Sequence, residues 1–354
     1  MESQRDLEHV AEQNVMNIPE GPGRPFVSVF AVMVLANLAV LAVSICVGKY
    51  RIRPEEILML LQGGDVVPPM MRKVFFTLRL PRALMALLAG IGLGFAGSVY
   101  QTIFKNPLAS PDIIGVAGGA NLGAATAIVA VSASSVPAIA VGAFWGGMAA
   151  VGCVMLLVRA TQSHSTSTYI LSGIVINALS RATIMALKYF ADPENELAAM
   201  EYWEMGTFGN ITLSKLLSVL PMFLTGLVGL LLLRRQIDLM GLGEDECRAL
   251  GVRLKCVRTA VLALSTLLVA SIVSVTGLIA FVGLIAPHTA RLMLRRNNAA
   301  TLCLSGLTGG FVVLAADVLA RVLYSAELPI SILTTATGVP LLLYFMCGRR
   351  GRLP

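Results

Sequence analysis

Apolar stretches long enough to cross a lipid bilayer recur along this whole chain, and nothing else in the sequence restricts the fold as much. A helix needs roughly 20 predominantly apolar residues to cross the hydrocarbon core. Ten such blocks are read, at about 27–48, 83–103, 113–133, 137–158, 169–190, 216–233, 258–278, 280–294, 301–322 and 329–347. The eighth is short and contains Pro287, so it reads as a broken or half span. The expected fold is an all-α polytopic membrane protein of about ten transmembrane helices, one integrated domain over residues 27–348. The chain is 56% hydrophobic and 13% charged. Soluble domains carry about 25% charged residues, and a soluble protein this apolar would expose large sticky patches.

The first 26 residues are mostly polar and carry Pro19, Pro22 and Pro25. They lack the basic start and small-residue cleavage site of a signal peptide, so they read as a cytoplasmic tail ahead of a signal anchor. With ten spans and both termini inside, more than half of the 27 basic residues fall on the cytoplasmic side, as the positive-inside rule asks. The first outer loop, about 49–82, breaks the rule. It holds Lys49, Arg51, Arg53, Arg72, Lys73, Arg79 and Arg82, an excess that reads as a docking patch. No basic run interleaved with aromatics argues for nucleic acid.

Catalytic signatures are missing from the sequence. The six cysteines are scattered without a C-x-x-C pair, and His9, His164 and His288 have no metal-ligand spacing. There is no H-E-x-x-H, no G-x-S-x-G and no G-x-x-x-x-G-K-[ST], so any nucleotide hydrolysis belongs to another chain.

Small residues pattern the spans. Gly90/Gly94, Gly119/Gly123, Gly142/Gly146 and Gly306/Gly310 are small-x-x-x-small pairs, which read as seams where helix backbones approach closely. Gly115-Val-Ala-Gly-Gly119 is also read as a place where a helix could break beside a cavity. Charges inside spans are costly in lipid. The fifth span has Asn177, Ser180, Arg181 and Lys188 on roughly one helical face, and the ninth has Asp317 and Arg321 four residues apart. Asp317 and Arg321 can satisfy each other. Arg181 has no acid in its own helix: either it borrows Asp317 from a neighbour, or it faces a water-filled path.

One charged island lies between the greasy blocks, at about 241–252. It reads as a compact helix exposed to water. Gly243 caps the start, Glu244, Asp245 and Glu246 crowd the positive end of the dipole, Arg248 lies toward the negative end, and Gly251 supplies a left-handed stop. A lipid-embedded chain that holds out such a helix offers it to a soluble partner.

Several motifs occur in one order. They are Arg79-Leu-Pro-Arg82, Asn106-Pro-Leu-Ala-Ser-Pro111, Ile114-Gly-Val-Ala-Gly-Gly-Ala120, Tyr202-Trp-Glu-Met-Gly206 and Leu242 through Val252. After them come Gly277 through Arg291, with its Ala-Pro-His, then Ala316-Asp-Val-Leu-Ala-Arg321, Glu327-Leu-Pro329 and Gly338-Val-Pro340. Over about residues 27–347 this pattern resembles the permeases of ABC importers for ferric siderophores, haem and cobalamin, the type II importers. Cys247 departs from the family's usual Ala.

The resemblance implies a prokaryotic inner (plasma) membrane protein that works as a pair, most simply a homodimer. The chain itself would carry no cofactor and no catalytic residue. Two ATPase subunits holding ATP and Mg would bind the coupling helices (Leu242, Gly243, Glu244, Asp245, Arg248, Leu250, Gly251), and a substrate-binding protein would dock on Arg79, Arg82 and Arg321. A cytoplasmic gate would map to Ser165, Thr166 and Ser167, and pathway candidates are Asn177, Ser180 and Arg181. A ferric siderophore is the leading cargo, with haem or cobalamin as alternatives. A reading from another class is a secondary transporter or channel using Arg181 and Asp317 as its ion couple. Spans two to five and seven to ten are offset by five, an odd number, as an inverted repeat requires.

Overall fold

A computed structural model describes residues 25–347 except 49, 51, 63–67, 164, 243, 252, 296, 297 and 324–326. The expected tail up to residue 24, Gly243, His164 and the terminal bases Arg5, Arg24, Arg349, Arg350 and Arg352 lie outside the described residues. The described elements are all helical. In chain order they are α1 (Phe26–Cys46), α2 (Pro54–Leu61), α3 (Pro69–Ile103, with a π turn over Phe75–Arg79) and a 3-10 turn (Pro111–Ile114). Then come α4 (Val116–Ala130), α5 (Val136–Ala160), α6 (Thr166–Phe190), a π turn (Pro193–Leu197) and α7 (Ala198–Met205). The rest are α8 (Leu213–Leu232), α9 (Arg234–Met240), α10 (Glu244–Ala249), α11 (Leu254–Thr276), α12 (Val282–Leu294), α13 (Ala299–Val322) and α14 (Ile330–Cys347).

Each of the ten expected blocks contains one of these helices. Seven are long and apolar enough to cross a membrane: α1, α3, α5, α6, α8, α11 and α13. The block at 113–133 yields a shorter helix than expected, α4 of 15 residues, and the block at 280–294 yields α12 of 13, the short span that the sequence indicates. The reason is local backbone. Gly115 sits at φ +94° just before α4, and Gly277 and Phe281, at φ +72° and +66°, flank the link from α11 to α12. Apolar composition runs through the break at Gly115, so hydropathy alone overruns it there. The third and eighth blocks hold equivalent places in the two expected repeats, and both helices follow a left-handed break.

Glycine seams hold the bundle together, and two of them are reciprocal. On α3 and α13, a Cβ on Gly90 would lie 2.2 Å from Gly309 O, and one on Gly309 would lie 2.2 Å from Gly90 O. On α4 and α5, Gly123 and Gly142 oppose each other at 2.0 and 2.5 Å, and Gly119 and Gly146 at 2.4 and 2.3 Å. In lipid, where apolar tails compete equally for apolar side chains, such close backbone approach supplies dispersion that larger residues would block. The expected Gly306/Gly310 seam is shifted in register, with Gly309 and Ser305 meeting Gly90 and Gly94. The core, built round Tyr100, Phe223, Ile272 and Leu314, is centred on α3, α11 and α13. Helix α1 lies at the edge, tied to α13 by the buried Asn37, whose Nδ2 donates to Leu307 O at 3.0 Å.

Candidate functional site

The three expected docking arginines come together where α1 ends, beside the π turn of α3. Arg82, on the first turn after the π turn, donates through Nε and Nη2 to Asp317 Oδ1, each at 2.9 Å. Its Nη1 donates to Glu327 Oε2 at 2.9 Å. Arg321 Nη2 lies 2.9 Å from the other oxygen of Asp317, the local i,i+4 pair the sequence allows. Asp317 is thus a buried carboxylate shared by two guanidiniums.

The same arginines finish α1. The last carbonyls of a helix have no partner within it and sit at the negative end of its dipole, so cations are favoured there. Arg321 Nη1 donates to Ser44 O at 3.0 Å and Val47 O at 2.8 Å, and its Nη2 to Ser44 Oγ at 2.7 Å. Arg79 donates to Ile45 O at 3.2 Å, Cys46 O at 3.4 Å and Tyr50 O. Part of the excess positive charge of residues 49–82 is therefore used inside the molecule. Sequence reasoning missed Glu327 as the second acid on Arg82. Its only signal was the mismatch of three clustered cations and one acid.

Next to this cluster, the Tyr202–Gly206 motif holds the break between α11 and α12. Thr207 N donates to Thr276 O at 2.7 Å, and Ile330 N, opening α14, donates to Gly206 O at 3.1 Å. Gly206 sits at φ +69°, where a Cβ would lie 2.1 Å from Leu278 O. A Cβ on Gly277 would lie 2.2 Å from Trp203 O. Both glycines are needed for the left-handed backbone and for the contact itself.

Helix α6 divides the expected pathway residues. Ser180 is buried toward the bundle, Asn177 is half-buried and Arg181 is exposed. They share an arc, but the edge of the packed face runs through it. Asn177 Nδ2 donates to Asp112 O at 2.7 Å, pinning the 3-10 turn before Gly115 against α6. Lys188 bridges to α7 through Glu201 at 2.7 Å and Glu204 at 3.0 Å, a pairing the sequence reading did not contain. Arg181 does not borrow Asp317, which is taken by Arg82 and Arg321. The ion couple of the secondary-transporter reading therefore does not form. At the start of α6 the expected gate residues act as a cap. Ser165 Oγ accepts from Thr168 N at 3.2 Å, and half-buried Thr166 and exposed Ser167 form the first turn. Tyr169 lies just inside, buried under the Arg258 guanidinium at 5.6 Å.

At the opposite end of the bundle from Arg82, α9, α10 and the start of α11 stack in sequence. Asp238 of α9 accepts from Ala299 N at 3.0 Å and so caps α13. Burial pushes the Asp238 carboxyl above its ordinary value, and that N–H pulls it back. Helix α10 is a single short helix, as expected, followed by Gly251 at φ +76°. Gly243 and the side chains of Glu244, Asp245 and Arg248 lie outside what the structure describes. Cys247 turns inward, 1% exposed, with Sγ donating to Leu239 O at 2.9 Å. Leu242 and Leu250 face out, 42% and 59% exposed. Cys247, a departure from the expected pattern, is the residue that anchors the helix.

These features match known proteins along nearly the whole chain. Residues 35–348 match the FecCD transport family. The molybdate import system permease protein MolB of Haemophilus influenzae is 35% identical over 302 residues, 84% of this chain and 89% of that one. The hemin transport system permease protein HmuU of Yersinia pestis is 34% identical over 284 residues, 78% of this chain and 84% of that one. Among solved structures, an inward-facing metal-chelate type ABC transporter superposes with a TM-score of 0.79 at 33% identity, covering 91% of this chain and 99% of that one. With its apolar helices and family motifs, this multi-pass membrane protein belongs to the FecCD transport family and is a permease of an ABC importer.

Proposed function

We propose that this chain is the transmembrane subunit of an ATP-driven importer that moves a metal chelate, foremost a ferric siderophore, into the cytoplasm. It works with a second copy of itself. Two ATPase subunits bind ATP and Mg below, and a substrate-binding protein delivers cargo above. The observation that carries this reading is α10. A six-residue helix has little stability of its own, yet here a buried Cys247 fixes it while Leu242 and Leu250 point away from the bundle. That arrangement suits docking into a groove of a soluble protein.

The fold supports a way for a push on α10 to travel. Helix α11 follows directly and ends at the break held by Trp203 and Gly206. Helix α9 caps α13, whose far end carries Asp317 and Arg321. Motion of the α9–α10 unit therefore reaches the Arg82 end along two rigid helices. There, a carboxylate of the binding protein would exchange with Glu327 on Arg82. At the α10 end, Ser165, Thr166 and Ser167 bring only small hydroxyl side chains to the mouth of α6, which suits a gate.

The test is uptake by the reconstituted complex of this chain, its ATPase and its binding protein in liposomes. A labelled ferric siderophore should accumulate only with ATP and Mg, and Leu250→Asp should leave ATP hydrolysis running without uptake. ATP-independent accumulation would overturn the reading.

A further inference from the structure

We infer that Arg181 makes this importer selective for anionic cargo: two copies of its guanidinium face each other across the translocation path. The inference rests on the proposed role as a chelate importer and adds the charge class of the substrate.

The argument starts with depth. Arg181 is 15 residues from the start of α6 and nine from its end, about 22 Å and 13 Å along the axis at 1.5 Å per residue. That places a permanent cation well inside the hydrocarbon thickness, too far from the Phe190 end for its stem to reach a headgroup easily. Among the described residues, Arg181 has no hydrogen bond and no ion pair. Lys188, two turns further along the same helix, has two carboxylates. Among the described residues, then, the mid-membrane cation is left bare and the one near the surface is neutralised.

A bare arginine facing lipid is expensive, and such residues face a bundle interior or a water-filled cavity instead. The surroundings of Arg181 point to the cavity. One turn away, Asn177 holds the non-helical segment ending at Gly115. Irregular backbone at membrane depth is tolerated where it is buried in protein or lines a water-filled space. Around Arg181 the outer face of α6 is apolar, with Leu171, Ile174, Leu179 and Met185 exposed. An apolar wall with one cation per copy excludes water from most of a bulky chelate while drawing in its negative charge. Neutral cargo would leave the two guanidiniums unpaired when it displaced their water, a standing penalty against it.

The test uses the full chain in its own host, with the chromosomal copy replaced by variants. Uptake is measured for three anionic probes (haemin, molybdate and a ferric catecholate) and two neutral ones (a ferric hydroxamate and cyanocobalamin). Wild type should carry at least one anionic probe and neither neutral one. Arg181→Gln should cut that uptake by about tenfold or more, the loss expected for one charge-assisted hydrogen bond, and Arg181→Lys should restore most of it. Arg181→Cys, in a chain whose six native cysteines are replaced by serine, should react with a small cationic thiol reagent and be protected by the transported anion.

Uptake of a neutral probe as fast as an anionic one would overturn the inference but leave the importer reading standing. So would normal anion uptake by Arg181→Gln. Failure of Arg181→Lys as well as Arg181→Gln, with Arg181→Cys unreactive, would show a structural cation and overturn it too. A wild type that carries none of the probes would overturn both readings together.

Discussion

Replacing Asp317 with Asn tests the polar cluster beside the π turn of α3 most directly. Asp317 is buried and sits 2.9 Å from both Arg82 and Arg321. The amide is nearly isosteric, so the change removes charge without opening a cavity. It leaves two largely buried guanidiniums facing each other with only Glu327 nearby. Breaking a buried ion pair from one side costs about 3–5 kcal/mol, because the surviving charge stays desolvated and unpaired. Unfolding entropy of about 2.1 cal/mol/K per residue over 354 residues is about 0.74 kcal/mol/K. The cost then corresponds to a fall in midpoint of about 4–7 °C. The assay is the loss of monodisperse protein on size-exclusion chromatography after heating purified samples through a temperature series. The double variant Asp317→Leu with Arg82→Leu removes acid and base together, and should lose less than Asp317→Asn alone. An unchanged midpoint for Asp317→Asn, or purely additive losses in the Asp317/Arg82 cycle, would refute the claim that this carboxylate holds α3 to α13.

Other consequences can be checked beside it. Gly123→Val should abolish folded yield, since even a Cβ would lie 2.0 Å from Gly142 O, whereas Gly152→Ala, with nothing within 4 Å, should express as wild type. Leu250→Asp should weaken co-purification with the ATPase without lowering the midpoint, because Leu250 is exposed, whereas Cys247→Arg should lower both, because Cys247 is buried. Glu327→Gln should tighten the binding protein by a few-fold at low salt and less at high salt, since it frees one edge of Arg82. Unchanged affinity at low salt would remove Glu327 as a competitor. Burial raises the Asp238 carboxyl, so the folded state holds its proton longer than the unfolded state and stability falls as pH climbs through that window. Asp238→Asn should flatten that slope in midpoints measured across mildly acidic pH.

Much of the architecture was legible because the bilayer imposes a simple code. Long apolar blocks became helices, three of the four small-x-x-x-small pairs became seams and the fourth did so one register away, and Gly251 became the left-handed stop. What escaped were the specific partners set by contacts distant in sequence. The i,i+4 spacing of Asp317 and Arg321 was visible, but Arg82, 235 residues before Asp317, completes the cluster. The Asp238 cap on α13 spans 61 residues and involves a backbone N–H, which has no sequence signature at all. The shared arc of Asn177, Ser180 and Arg181 was read correctly as geometry and too simply as one environment. A helix at the rim of a bundle meets protein on one edge of an arc and open space on the other.

The two left-handed breaks carry the argument one step further. Both interrupt an apolar run, one before α4 and one before α12, and both are gripped by another helix or its end. Asn177 of α6 holds the first, and Trp203 with Gly206 at the end of α7 holds the second. Lys188 then ties α6 back to α7. The grips on both breaks are therefore mechanically joined through the π turn at Pro193–Leu197. Glycine seams make α3–α13 and α4–α5 stiff, since their backbones are in contact and cannot slide without collision. Motion has to be taken up where backbone is irregular, and that is where α6 and α7 reach. An importer that opens first at one face and then at the other needs such a link, and here it runs along the same helix that carries Arg181.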